Sequence, residues 1–80
     1  MSHAKGFDPY RFRARFPDQW SQFLRQNFRN AEEVAVVFDV TYQTARNWIE
    51  GTHRPSGDKV ALAAISMPRR FAAAIGEEAA

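Results

Sequence analysis

Residues 30–51, NAEEVAVVFDVTYQTARNWIEG, decide the fold of this 80-residue chain. The apolar residues of this stretch do not follow one helical period, because one cluster ends at Val40 and a second begins at Ala45. The break falls at Asp39-Val40-Thr41, and Asp39 is of a residue type that tolerates a left-handed backbone. Thr41 is suited to cap a helix that starts behind the break. The stretch therefore predicts two short helices joined by a corner of about three residues.

The spacing within this stretch resembles that of a family of DNA-binding domains, the Cro and repressor type (Xre-like) of phages and bacteria. In that family a small residue stands at the fifth position of the two-helix unit, and apolar residues stand at the fourth, eighth, tenth, fifteenth and eighteenth. Counted from Ala31, this chain matches at all six positions, with Val34, Ala35, Phe38, Val40, Ala45 and Trp48. Asp39 departs from the family pattern, which usually has glycine at the corner. The resemblance covers roughly Trp20 to Ile65 and implies a lambda-repressor-like helix-turn-helix fold.

The whole chain is predicted to be all-α, a small bundle of about five helices preceded by an extended basic arm. Residues 17–76 form the predicted helix-turn-helix domain, and residues 77–80 form a short acidic tail. Capping residues and prolines set the remaining helix boundaries: Pro17 or Asp18 to Phe28, Gly57 or Asp58 to Ser66 behind a Ser56 cap, and Pro68 to Ile75.

Residues 1–16 form the predicted N-terminal arm. From Tyr10 to Phe16, aromatic or small residues alternate with arginines, and this period of two is typical of an extended chain. Residues 1–30 carry six basic side chains against two acidic ones, whereas residues 31–80 carry five against seven. The excess of positive charge suits an arm that contacts DNA, and the residues predicted to do so are Arg11, Arg13 and Arg15.

Composition narrows the class of protein. The chain has no cysteine, which excludes disulfides and cysteine-bound metals, and no apolar run long enough to span a membrane. It has no glycine-rich phosphate loop, no cluster of metal ligands and no nucleophile in a recognisable setting. We therefore expect a cytoplasmic protein that is not an enzyme, has no cofactor or metal, and binds neither a membrane nor a small-molecule substrate.

The second helix of the central stretch, about residues 42–50, is predicted to enter the major groove of DNA, where base edges distinguish all four base pairs. Ala45, Trp48 and Ile49 point inward, with Trp48 expected in the core. The outward residues expected to read bases are Tyr42, Gln43, Arg46 and Asn47. The family resemblance also implies base contacts for three of these, Tyr42, Gln43 and Asn47, and the amides of the last two can pair with adenine.

Other polar residues are predicted to hold the DNA backbone. Helix N-termini favour anions, so the starts of the helices near Asn30 and Ser56 are candidate phosphate sites, and Arg54 and Lys59 flank the second of them. Such contacts position a protein on DNA without reading its sequence. The predicted phosphate-contacting residues are Asn30, Thr41, Thr44, Arg54, Ser56 and Lys59.

These features predict a sequence-specific double-stranded DNA-binding transcriptional regulator, acting as a homodimer if paired helices read two half-sites. Ile65, Met67, Phe71 and Ile75, or strand pairing between arms, are candidate dimer contacts. The alternative is a protein-interaction module, or a DNA-docking component of a phage or mobile-element assembly, built on the same fold. Exposed amides and an arginine on the second helix favour DNA, whereas an apolar patch there would favour a protein partner.

Overall fold

Helices account for nearly all of the chain that the structure describes. The computed structural model describes residues 8–76, so the first seven residues of the predicted arm and the predicted tail at 77–80 lie outside it. Within that range no strand is present, and the all-α prediction is confirmed. The helices are α1 (Pro9–Asn27), α2 (Ala31–Phe38), α3 (Tyr42–Ile49), α4 (Gly57–Ser66) and α5 (Pro68–Phe71), which continues into a π-helical turn (Ala72–Gly76).

The predicted extended arm is wrong for residues 9–16, because α1 begins at Pro9 rather than at Pro17 or Asp18. Asp8 caps the helix, and its Oδ1 accepts hydrogen bonds from the backbone N–H groups of Tyr10 at 3.1 Å and Arg11 at 3.4 Å. Pro9 occupies the first turn, where its missing N–H has no helical acceptor to lose. Pro17 lies inside the helix, where it removes the bond that its N–H would donate to the Arg13 carbonyl and its ring crowds that carbonyl.

The apolar side chains of α1 explain why the helix forms through this proline. Phe12, Phe16, Trp20 and Phe23 recur at steps of four and three, so they share one face of a helix. Their rings touch in sequence, with centroids 5.8 Å apart between the first pair and 6.0 and 5.4 Å apart in the next two. An extended chain would place Phe12 and Phe16 on the same face of a strand, but it would separate both rings from the rest of the core.

The corner between α2 and α3 has the predicted chemistry. Asp39 has φ 55° and ψ 55°, which is the left-handed conformation. The N–H groups of Asp39 and Val40 both donate hydrogen bonds to the Ala35 carbonyl, near the end of α2. Thr41 caps α3, because its Oγ1 accepts the Thr44 N–H at 3.1 Å. Gly51, with φ 78°, ends the final turn behind α3. Residues 31–50 are therefore two helices, not one rod, as the change of apolar period predicts.

Asp39 provides a test of this corner. A left-handed backbone costs an ordinary side chain on the order of 1 kcal/mol, and glycine avoids that cost. We expect Asp39→Gly to keep or raise the free energy of unfolding and Asp39→Ala to lower it, so that the two variants differ by about 1 kcal/mol. Urea unfolding followed by circular dichroism measures both. Equal stabilities would show that the corner does not require a left-handed residue.

The core is an aromatic cluster held between α1, α2, α3 and the C-terminal turns. Trp20, Phe23 and Phe38 are fully buried, and Trp48 is 3% exposed. Trp20 is central, because its ring packs edge-on against Phe38 at 5.7 Å and against Trp48 at 5.6 Å. The prediction that Trp48 packs in the core is confirmed. Ala35 is half-buried at the edge of this cluster, on the helix that packs against α3.

Residues of α5 and of the π-helical turn complete the core. Phe71 packs edge-on against Phe23 at 5.7 Å, and Ile75 is 3% exposed. The start and end of α4 match the prediction, but Ser56 does not cap it through its side chain, because its Oγ donates to Asp58 Oδ1 at 2.5 Å. The predicted fifth helix changes to π-helical geometry at Ala72, and the turn ends at Gly76.

Candidate nucleic-acid interface

Two amide side chains form a pair on the exposed side of α3. Gln43 Nε2 donates a hydrogen bond to Asn47 Oδ1 at 3.0 Å across one helical turn. Gln43 is exposed and Asn47 is half-buried, so neither is covered by the body of the protein. The bond occupies one donor of Gln43 and one acceptor position of Asn47, so the Gln43 carbonyl oxygen can accept from a donor while the Asn47 NH2 group donates to an acceptor. Adenine presents such a pair in the major groove.

The other two predicted base-reading residues lie along a neighbouring line of the same helix. Tyr42, Arg46 and Glu50 are four residues apart, so they share one stripe. Arg46 Nη2 lies 2.6 Å from Glu50 Oε2, and both side chains are about half exposed. The hydrogen bond and charge of Glu50 raise the pKa of Arg46 above its ordinary value. Arg46 must therefore leave Glu50, or share it, before it can bind a guanine or a phosphate.

This second stripe faces a groove, because it forms one wall of a cavity of about 280 Å³. The opposite wall comes from the end of α1 and the residues that follow it, and from the start of α2: Leu24, Arg25, Phe28, Arg29, Asn30 and Ala31. The groove thus brings together Arg25 of α1, Arg29 of the segment between α1 and α2, and Arg46 of α3. Sequence reasoning missed Arg25 and Arg29 as site residues. Only their position six and two residues before the α2 start marked them, and it is the packing of the helices that places them in one groove with α3 residues.

The start of α2 contributes backbone donors to the same groove. Asn30 Oδ1 accepts the Glu33 N–H at 2.9 Å, and Glu33 Oε1 reaches back to the Arg29 N–H at 2.7 Å. Glu33 therefore bonds the N–H of the residue before Asn30, whereas a standard capping box would use the Asn30 N–H itself. The N–H groups of Ala31 and Glu32 have no acceptor within the helix, as is general for a first turn, and they lie where an anion is favoured.

Thr41 and Thr44 stand at the exposed start of α3. Their hydroxyl groups lie 2.9 Å apart, and the same Thr41 oxygen caps the helix. Thr41 is exposed and Thr44 is half-buried. Both hydroxyl groups are thus held beside the first turn of α3, next to Gln43.

The predicted phosphate site at the start of α4 contains a carboxylate. Ser56 donates to Asp58, and Lys59 Nζ lies 3.8 Å from the other oxygen of the same carboxyl group. The Ser56 hydrogen bond lowers the pKa of Asp58, so the group is ionised at neutral pH. Within the described part of the chain, this is the acid that a phosphate at Ser56 or Lys59 would meet. Arg54 lies apart from it, against α1.

The arm residues Arg11, Arg13 and Arg15 are exposed, but they lie on the first half of α1 and not on an extended segment. A helix rotates successive side chains by about 100°, so Arg11 and Arg15, four residues apart, share one face of α1, whereas Arg13 points away from that face. Of these, Arg13 lines a cleft with Tyr10, Ala14 and Arg54.

Two further features of residues 8–76 bear on the kind of site. None of the helices described there is both long and apolar enough to cross a membrane. The same residues contain no group of three or more His, Asp or Glu side chains placed to hold a metal ion. Comparisons of the chain with models of known families, with curated proteins and with solved structures found no match.

Proposed function

We propose that this chain is a sequence-specific double-stranded DNA-binding transcriptional regulator whose α2 and α3 form a helix-turn-helix. In this proposal α3 enters the major groove and the protein acts in the cytoplasm by occupying an operator. The observation that carries the proposal is the Gln43–Asn47 amide pair, held at 3.0 Å on the exposed side of a short capped helix behind a left-handed corner. The role assigned is binding, not catalysis.

The positive charges around α3 support contacts between the protein and the DNA backbone on both sides of this helix. On one side, the groove holds Arg25, Arg29 and Arg46 beside the free N–H groups of the α2 start. Glu33 and Glu50 pair with the last two, whereas Arg25 forms no ion pair within residues 8–76. On the other side, Arg54 is exposed behind the end of α3. We assign phosphate contacts to both sides, together with Asn30, Thr41 and Thr44. Ser56 and Lys59 are weaker candidates, because Asp58 already engages both.

A homodimer fits this function, because paired recognition helices read half-sites roughly 34 Å apart. The exposed apolar residues of α4 are candidate dimer contacts, since Ile65 is 80% exposed and Leu62 is 41% exposed. Phe71 and Ile75, which the sequence also offered as dimer contacts, pack in the core instead.

The alternative function, a protein-interaction module or a DNA-docking component of a larger assembly, is favoured by a different surface. Val36 is 81% exposed and Val37 is 44% exposed on the outer side of α2, and the DNA proposal gives neither a role. An apolar pair of this kind is typical of a protein contact.

Salt dependence separates the two functions. Each neutralised phosphate adds about 0.9 to the slope of log affinity against log salt, so four phosphate contacts lower affinity roughly 100-fold between about 50 and 200 mM salt. We expect such a loss for a random duplex, measured by fluorescence anisotropy. Arg54→Gln should weaken binding to every duplex and flatten the slope. Absence of binding at low salt would overturn the DNA proposal and favour the protein partner.

A further inference from the structure

The chain that leaves α3 runs backwards along α1. The Ile49 carbonyl accepts a hydrogen bond from the Ser21 hydroxyl, near the middle of α1. Two residues later, Gly51 lies against Asp18, whose Oδ1 would be 3.4 Å from a Cβ at that position. Arg54 then reaches the first half of α1. The part of α1 that the sequence did not predict as helix therefore forms the surface on which Arg54 lies.

A cleft of about 280 Å³ opens where this segment meets the helix, and its walls are Tyr10, Arg13, Ala14 and Arg54. The lining contains two guanidinium groups and a phenol, and it contains no carboxylate. Within residues 8–76, neither Arg13 nor Arg54 forms an ion pair. Two like charges that share a cleft repel each other, and an anion between them relieves that repulsion.

Neither of the nearby acids lines the cleft. Asp8 Oδ1 accepts the backbone N–H groups of the first helical turn, and an Asp18 oxygen lies beside Gly51. Tyr10 is 83% exposed, so its ring is not held by the core and its hydroxyl group is accessible. The donors of the cleft thus face outward and are available to a ligand.

We propose that the Tyr10–Arg13–Arg54 cleft binds a backbone phosphate of duplex DNA. This inference rests on the proposed function. Guanidinium groups match phosphate oxygens with paired hydrogen bonds, and a phenol can donate a third. The cleft lies past the C-terminal end of α3, so its phosphate belongs to DNA that flanks the bases facing Gln43 and Asn47. The N-terminal half of α1 fixes Arg13 on a helix, where a free arm would leave it mobile.

The test compares Arg13→Gln with Arg11→Gln. Both arginines are exposed on α1 and both changes remove one charge, but Arg11 does not line the cleft, and the proposed function, unlike the predicted extended arm, gives it no phosphate contact. On a random duplex, Arg13→Gln should lower the salt slope by up to about 0.9 and reduce affinity several-fold at low salt, whereas Arg11→Gln should leave the slope unchanged. Thermal unfolding by circular dichroism confirms that both variants remain folded.

A double-mutant cycle measures the coupling between two residues, which a general change in net charge does not alter. If Arg13 and Arg54 hold one phosphate, the double variant should lose less affinity than the sum of the two single losses, whereas Arg11 and Arg54 should be additive. Tyr10 ring resonances in NMR spectra should shift on adding a random duplex and stay unchanged with inorganic phosphate at equal ionic strength.

Equal slopes for Arg13→Gln and Arg11→Gln, or additivity of Arg13 with Arg54, would overturn the cleft while leaving the proposed function intact. A Tyr10 shift with inorganic phosphate alone would assign the cleft to a free anion and would also overturn it. If the unaltered protein fails to bind duplex DNA at low salt, both the cleft and the proposed function fail.

Discussion

Trp20→Ala should lower the free energy of unfolding by about 3–5 kcal/mol, the range for deleting a buried aromatic side chain. Trp20 is fully buried, and its ring centroid lies between 5.4 and 6.0 Å from those of four other aromatic residues. Those residues come from three helices, so removal of the indole leaves a cavity where the helices meet. For a domain of this size, total stability is on the order of 4–12 kcal/mol, so the loss is a large part of it.

Urea unfolding followed by far-ultraviolet circular dichroism measures this loss. Tyr10→Ala is the matched control, because it removes an aromatic ring from the same helix at a position that is 83% exposed, and it should change stability by no more than about 0.5 kcal/mol. Trp20→Phe should lose clearly less than Trp20→Ala, since it keeps a six-membered ring. It also removes a buried N–H with no hydrogen-bond partner among the described residues. A urea midpoint for Trp20→Ala equal to that of Tyr10→Ala would show that the core is not built around this side chain.

The two-helix unit could be predicted from the sequence because its determinants are local. Asp39 tolerates the left-handed corner, Thr41 caps the next helix within three residues, and Gly51 supplies a second left-handed position. Each signal acts on the backbone beside it, so no knowledge of distant contacts is needed.

The first half of α1 could not be predicted in the same way, because its residues fit two periods. Tyr10, Phe12, Ala14 and Phe16 alternate, which is typical of an extended chain, yet Phe12 and Phe16 also start a helical stripe that continues to Trp20. The aromatic core decides between them, since only the helix brings both rings into contact with it. Pro17 also gives an ambiguous signal. Proline is favourable at the start of a helix, but a helix with strong tertiary packing tolerates it in its interior as well.

The candidate site also has a part that follows from local sequence and a part that depends on tertiary packing. The outward positions of α3 follow from helical periodicity, so Gln43 and Asn47 were predicted. The groove beside Arg25 and the cleft beside Arg13 depend on how α1 packs against α3 and against the segment behind it. Likewise, the sequence offered Arg46 as a base-reading residue, but it could not show that Glu50 pairs with it.

Gln43→Ala should reduce affinity for the cognate site by about 1–3 kcal/mol, roughly 5- to 150-fold, with little change on random DNA. Gln43 Nε2 already donates to Asn47 Oδ1, so the two amides are held in one arrangement before DNA arrives. Removal of the Gln43 carbonyl oxygen leaves a base-edge donor without its acceptor in the complex. Alanine suits an exposed helical position, so the variant should fold as well as the original chain.

The cognate site comes from selection of bound duplexes from a random library, and affinity is then measured on that site and on a scrambled one. Gln22→Ala is the matched control, because Gln22 is an exposed amide on α1 that lines neither the groove nor the cleft. It should change neither affinity. Because the two amides of α3 act as a pair, Asn47→Ala should lose specificity too, and the double variant should lose less than the sum. Equal losses for Gln43→Ala on the selected and scrambled duplexes would show that Gln43 does not read sequence. The amide pair could then no longer carry the argument for α3 as the recognition helix.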